Sequence, residues 1–269
     1  MREGNGEGAA TREVTRPDIV RMFVVGTIAS VAGVALGLWI DWFPDSASTQ
    51  AGPIDLMYDV LIILSVPIFV FVTTIVLFAA IRFRVRPGEE GLDGPPMHGN
   101  TRLEVIWTAI PSLIVVALCI YSAAVLTEIE KAEASQQKVT VYGQQFAWQF
   151  KYTAPNGKEI IDDFLWIKCT PTTSATGQGA PCKGPQVEFD IKAVDVIHSL
   201  WIPAMRMKQD AVPGITTHTR VNPNRLGEYP FVCTELCGIG HGTMRSTVFV
   251  VTPAQYAAWQ AKKLAAQSG

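Results

Sequence analysis

The chain has 269 residues, of which 48% are hydrophobic, and a formal net charge of −2. That hydrophobic content is high for a soluble protein and points to a membrane portion, and no nucleic-acid partner is expected. The length allows one or two domains.

Apolar residues gather in three blocks in the first half, over 22–40, 60–81 and 105–126. Each is about 19 to 22 residues long, and a spanning helix needs about 20 at 1.5 Å per residue. None carries an internal charge. A helix of that length buried in a soluble domain would show a polar stripe, so the second and third blocks are read as a transmembrane hairpin over 58–127. The first block also has the marks of a secretory signal: a charged leader, an apolar run and the small residues Ser46, Ala47 and Ser48. Its apolar run exceeds the 7 to 15 residues or so of a signal core. It is read as an extra transmembrane helix over 22–40, with a cleaved signal as the alternative.

Basic residues set the orientation. Arg2, Arg12, Arg16 and Arg21 precede the first block, and Arg82, Arg84, Arg86 and Arg102 follow the second, whereas 41–57 contains no Lys or Arg. Positive charge near span ends marks the cytoplasmic side. Residues 1–21 are therefore a cytoplasmic tail, and 128–269 lies outside.

Beyond Lys138 the long apolar runs give way to short alternations. Residues 138–142, 146–150, 187–191, 216–221 and 245–251 read as strands, and Asn156-Gly157 is a tight-turn signal. Only 253–265 has helical character. Short strands between Gly and Pro turns predict a small β-sandwich or barrel.

The five cysteines divide by context. Cys119 lies within the third block and is read as a packing residue. Cys169 and Cys182 flank a Thr/Gly/Pro-rich insertion. An oxidising compartment favours a bridge between them, with two free thiols as the alternative.

Cys233 and Cys237 belong to the densest motif of the chain, Cys233-Thr-Glu-Leu-Cys237-Gly-Ile-Gly-His241-Gly-Thr-Met244. It holds two thiols, an imidazole and a thioether. His198 supplies a second imidazole upstream, at a predicted strand end. Soft donors of this kind select copper, zinc or iron–sulfur, and a Met beside Cys and His points to electron-transfer copper. A mononuclear blue site would use one Cys, and zinc would leave Met244 unemployed. Two thiolates bridging two coppers use every donor. Zinc and a plain disulfide remain the alternatives.

These residues carry a resemblance to subunit II of the haem-copper cytochrome c oxidases. It extends over Glu104-Val-Ile-Trp-Thr-Ala-Ile-Pro111, Tyr142-Gly-Gln-Gln-Phe-Ala-Trp148, Asp195-Val-Ile-His-Ser-Leu-Trp201, Asp210-Ala-Val-Pro-Gly214 and the 233–244 loop. The resemblance implies a membrane-anchored all-β protein: a transmembrane helical hairpin, here with an extra N-terminal helix, followed by a cupredoxin-like β-barrel. It implies a dinuclear CuA centre bridged by Cys233 and Cys237. His198 and Met244 would complete one copper, His241 and the Glu235 carbonyl the other.

It further implies magnesium held by the Glu235 side chain at the boundary with the haem-bearing subunit I, a proton-pathway entrance near Glu104, and electron entry near Phe146 and Trp148. The haems lie in the partner subunit, and subunits I and III are the expected partners beside the lipid bilayer. The setting implied is a bacterial cell membrane, crossed more than once, with the carboxyl-terminal domain outside. The chain would be the electron-entry subunit of a proton-pumping oxidase. A membrane-anchored copper-binding or assembly protein without redox turnover is the competing reading.

Three features qualify this picture. The family commonly has Trp where this chain has Phe146. The segment 128–269 carries 14 Lys and Arg against 12 Asp and Glu, so it offers little steering for a basic soluble donor unless Glu159, Asp162, Asp163 and Asp195 form a local patch. A c-type cytochrome attached to the membrane, or a partner complex, is therefore the expected donor. No Cys-x-x-Cys-His is present, so the chain is expected to carry no covalent haem of its own. His98 and His218 match no ligand position, and Lys208 and Asp210 are expected to pair.

Overall fold

A computed structural model describes residues 14–84 and 99–267. Arg2, Arg12, Arg86 and His98 lie outside the described residues. The chain divides into two compact units, one of Met1–Asp41 with Met57–Ile120, the other of Trp42–Leu56 with Tyr121–Gly269.

The first unit is helical, and α1 (Arg16–Trp39), α2 (Ala51–Arg82) and α3 (Thr101–Ile129) are each long and apolar enough to cross a membrane. Helix α1 opens ahead of the apolar block, so 16–21 is helix where a tail was expected. Thr15 and Asp18 form a reciprocal capping box, and a Pro sits at the first helical positions, where its missing N–H costs nothing. Gly26, Gly33 and Gly37 give α1 a close approach to Phe71, Val66 and Ile62 of α2. Helix α3 buries no residue at all. An apolar surface of that length suits lipid or other helices.

The second unit is the β-domain. Its strands are β1 (Gln136–Gln144), β2 (Ala147–Thr153), β3 (Glu159–Asp162), β4 (Leu165–Lys168), β5 (Thr170–Pro171), β6 (Cys182–Lys183), β7 (Gln186–Ala193), β8 (His198–Ile202), β9 (Met207–Ala211), β10 (Thr217–Val221), β11 (Gly227–Cys233) and β12 (Arg245–Val251). One five-stranded sheet has the order β10-β7-β1-β2-β3 and a second the order β4-β12-β11-β8-β9. Strand β1 runs parallel to β7 and β12 parallel to β4, and the other pairs in these two sheets are antiparallel. This is a cupredoxin-like barrel.

Alternation drives its closure. In β1 every second residue from Gln137 is buried, through Val139, Val141 and Gly143. Val139 and Val141 join Trp148, Phe150, Phe189, Leu200, Phe231 and Val248 in the core. Helix α4 (Pro253–Ala266) covers one end, where Trp166 stacks between Phe249 and Trp259 at centroid distances of 4.5 and 5.2 Å. Phe146, expected in a strand, stands in the turn instead. The pairing of Gln144 with Ala147 leaves only Gln145 and Phe146 to reverse the chain.

Two attachments tie the domain together. Cys169 and Cys182 form a disulfide. The insertion it closes is laid along 224–228, with Gly179 N–H donating to Leu226 O and the Gln178 side chain bonded to both polar backbone atoms of Glu228.

The second attachment is the segment after the first block, which in sequence shows only the small residues Ser46, Ala47 and Ser48 and an absence of Lys and Arg. Ala47 and Ser48 are buried, Ala47 N–H donates to Ala204 O at 2.7 Å, and Ser48 Oγ donates to Met205 O at 2.9 Å. Arg206 then grips Asp55 through Nε and Nη2 at 2.8 and 3.0 Å, with the Phe43 ring 4.6 Å from its Cζ. Residues 42–56 thus form a strap on the β-domain.

Candidate metal centre

Strand pairing brings the soft donors to one end of the second sheet. His198 opens β8, Cys233 ends β11, and Met244 immediately precedes β12. Because β11 lies between β8 and β12, the loop 234–244 is a hairpin connection whose ends are fixed on both sides. Thr234 N–H donates to Ser199 O at 2.8 Å, and Cys233 N–H to Met244 O at 3.1 Å. Gly238 has φ +135°, a conformation that needs glycine.

The two thiols lie 3.9 Å apart, Sγ to Sγ, as free cysteines. Cys233 Sγ is 4.0 Å from His198 Nδ1 and 3.4 Å from the Glu235 carbonyl oxygen. Cys237 Sγ is 3.7 Å from both His241 Nδ1 and Met244 Sδ. Donor atoms of His198, Cys233 and Cys237 all fall within 4.8 Å of one another. All six sequence-assigned positions therefore converge, Glu235 through its backbone, while its side chain is exposed.

His198 is wholly buried, with Asp195 Oδ1 2.8 Å from its Nε2. A proton held on Nε2 by that carboxylate leaves the Nδ1 lone pair directed to the thiols, the usual way a carboxylate fixes a metal-binding imidazole. Burial would raise the Asp195 carboxyl, but hydrogen bonds from Gln145 N–H, His198 and Val196 N–H outweigh it and hold the group below its ordinary value. Burial, followed by the neighbouring Cys233 thiol, pushes the metal-free Cys237 thiol up to about 11. Metal uptake must displace that proton.

Two residues expected near electron entry take different places. Phe146 is 36% exposed, and the loop backbone passes beneath its ring, where a Cβ added at Gly240 would come within 2.5 Å. Trp148 is buried and meets the His198 ring edge-on at 5.9 Å. It lines the core beneath the donors. Of the four acidic residues, Glu159 pairs with Lys151, Asp162 is buried against Trp259 and Lys263, and Asp195 holds His198, while Asp163 is exposed.

Glu104 accepts the Asn100 N–H at 3.0 Å while Asn100 caps Leu103 N–H, so it closes the first turn of α3. His218 pairs with Asp190 on β7, and Lys208 lies 3.7 Å from Asp210. Neither pair belongs to the centre. Sequence reading passed over Gln145, whose signal was only its place inside the Tyr142 to Trp148 motif.

Fold and site together define a membrane-anchored cupredoxin-like domain with a His/Cys/Cys centre of the CuA type. Profiles for "Cytochrome C oxidase subunit II, transmembrane domain" and "Cytochrome C oxidase subunit II, periplasmic domain" match residues 34–125 and 181–251. Cytochrome c oxidase subunit 2 of Thermostichus vulcanus is 31% identical, covering 91% of this chain and 85% of the relative, and that of Synechocystis sp. is 30% identical, covering 91% and 82%. The periplasmic domain of subunit II of cytochrome oxidase (CoxB) of Bradyrhizobium japonicum is similar at 20% identity and a TM-score of 0.40, covering 49% of this chain and 96% of that domain. The chain belongs to the cytochrome c oxidase subunit II family of haem-copper oxidases, as a membrane protein whose carboxyl-terminal domain is extracytoplasmic.

Proposed function

We propose that this subunit accepts electrons from a c-type cytochrome at a dinuclear copper centre and passes them to the haems of subunit I, where oxygen is reduced to water with proton pumping. The observation that carries this reading is the pair of free thiols 3.9 Å apart with two imidazoles and a thioether around them. The donor set fits copper, being soft and neutral apart from the thiolates. Cys233 and Cys237 would bridge two ions, with His198 and Met244 on one and His241 and the Glu235 carbonyl on the other. When bound, the pair supplies a one-electron centre whose charge is shared between two metals.

The protein's part is to hold the ligands still. His198 and Cys233 are held by sheet pairing and Met244 by the Cys233 N–H, and with Cys237 all four are buried, which keeps water from the donors. Phe146, with exposed Leu236 and Ile239 on the loop nearby, gives an apolar approach to the centre. That surface, with Glu159, Asp162 and Asp195 each engaged with a partner, supports a membrane-attached donor over a basic protein steered from solution. The exposed Glu235 carboxylate is the proposed magnesium ligand at the subunit I boundary, where a hard cation takes oxygen. Glu104, besides capping α3, is proposed to stand at the mouth of a proton pathway; subunit III is the further expected partner.

Copper analysis and electron paramagnetic resonance of the assembled complex test the reading. Two coppers per subunit II with one unpaired electron shared between them is the expected result. One copper, zinc or a Cys233–Cys237 disulfide would refute it. Loss of cytochrome c oxidation in Cys233→Ser separates an electron carrier from a copper store without turnover.

A further inference from the structure

The segments that bear the ligands are joined by a residue that offers none. Gln145 stands in the turn between β1 and β2. Its backbone N–H donates to Asp195 Oδ2 at 2.7 Å, and its side-chain Nε2 donates to the Cys237 carbonyl at 2.6 Å. Asp195 Oδ1 in turn holds His198 Nε2 at 2.8 Å and takes the Val196 N–H at 2.7 Å. An unbroken chain of hydrogen bonds therefore runs from the imidazole on β8 to the backbone of the second thiol.

The loop it reaches needs such a tie. Residues 238, 240 and 242 are all glycine, the residue that loses the most conformational freedom on ordering. Sheet pairing fixes the loop only at its ends. Gln145 holds its middle, and Phe146 lies over it: a Cβ at Gly238 would meet Gln145 Nε2 at 2.9 Å and the Phe146 ring at 3.1 Å. Without Gln145, the Cys237 carbonyl would lose the only side-chain donor it has among the described residues.

We propose that Gln145 is a positioning residue of the metal centre, clamping the loop that bears Cys237 and His241 to the strand that bears His198. The proposal rests on the dicopper reading and adds a residue that sets how firmly the metal is held and which oxidation state is favoured. The amide N–H places partial positive charge beside the Cys237 backbone, which stabilises the more electron-rich reduced centre. The Asp195 carboxylate, at the other end of the same chain, stabilises the oxidised one.

The test uses the assembled oxidase carrying Gln145→Met, with Gln178→Met as a control. Gln178 makes similar side-chain bonds to backbone, but to Glu228 on the disulfide-closed insertion. Loss of a partner outside the ligand set weakens metal binding by about 10–100-fold, so Gln145→Met should lose copper to a chelator faster by about that factor. Its reduction potential should fall and its copper hyperfine pattern should change, while Gln178→Met keeps all three parental values. Asp195→Asn acts from the other end. It should also speed copper loss but raise the potential, a contrast of sign that general loosening of the fold would not produce.

Parental retention and potential in Gln145→Met would overturn the clamp, as would equal changes in Gln178→Met or a fall in potential in Asp195→Asn. A parent complex without the shared-electron spectrum would instead defeat the dicopper reading, and the clamp with it.

Discussion

Removing Asp55 should destabilise the β-domain more than removing the arginine it faces. The Arg206 guanidinium, only 6% exposed, donates two bonds to Asp55 and a third through Nη1 to Pro203 O at 2.9 Å, and lies on Phe43. Asp55→Ala leaves that charge buried with one hydrogen-bond acceptor. Breaking one side of a buried pair costs about 3–5 kcal/mol, and the 35% exposure of Asp55 admits water and places this case at the lower end. A loss of about 3 kcal/mol lowers Tm by about 6–12 °C for a domain of this size.

Arg206→Gly deletes the same pair but leaves no buried cation. It also relieves φ +54°, since the left-handed conformation costs a non-glycine residue about 1–2 kcal/mol. The double variant Asp55→Ala/Arg206→Gly should therefore be more stable than Asp55→Ala alone. Thermal unfolding of the purified chain in detergent, followed by near-ultraviolet circular dichroism, compares the four proteins. A double variant less stable than Asp55→Ala, or an Asp55→Ala within about 0.5 kcal/mol of the parent, the range of ordinary surface changes, would refute the reasoning.

Glu188 gives a pH dependence. Burial raises its carboxyl, but Lys138 and Arg220 together outweigh that and hold it below its ordinary 4.5. Its contribution is present above that value and is lost as pH falls through the lower folded-state value, so the denaturant midpoint should drop below about pH 4.5 more steeply in the parent than in Glu188→Gln. Replacing Cys169 and Cys182 together by Ser should cost about 3 kcal/mol, the scale for closing a loop of this length; an unchanged unfolding midpoint would deny the bridge that role. Gly240→Ala should displace Phe146, at an overpacking cost of about 1–3 kcal/mol, and copper titration of the purified chain should show weaker uptake.

The site was legible because its chemistry is concentrated. Four of the donor side chains expected at the centre are His or Cys and one is Met, and four of these five fall in twelve consecutive residues. The strands from 138 to 142 and from 245 to 251 were legible for a different reason, since period-two burial leaves a local pattern.

The contact of Asp195 with His198 was not legible, because nothing local says that an exposed carboxylate three residues before a histidine will turn onto its ring. The strap was missed because its partners, Ala204, Met205, Arg206 and Asn222, lie more than 150 residues away.

By itself the sequence indicated three long apolar helices, an all-β outer domain and the soft side chains that come together. Hydropathy, charge and ligand chemistry are properties of residues and their near neighbours. Only the tertiary structure decided that 42–56 belongs to the β-domain, that Trp148 lies under the centre while Phe146 lies over its loop, and that Asp195 and Gln145 link His198 to Cys237. Those are pairings between segments far apart in the chain, fixed by which strands lie side by side and by the need of each buried polar group for a partner.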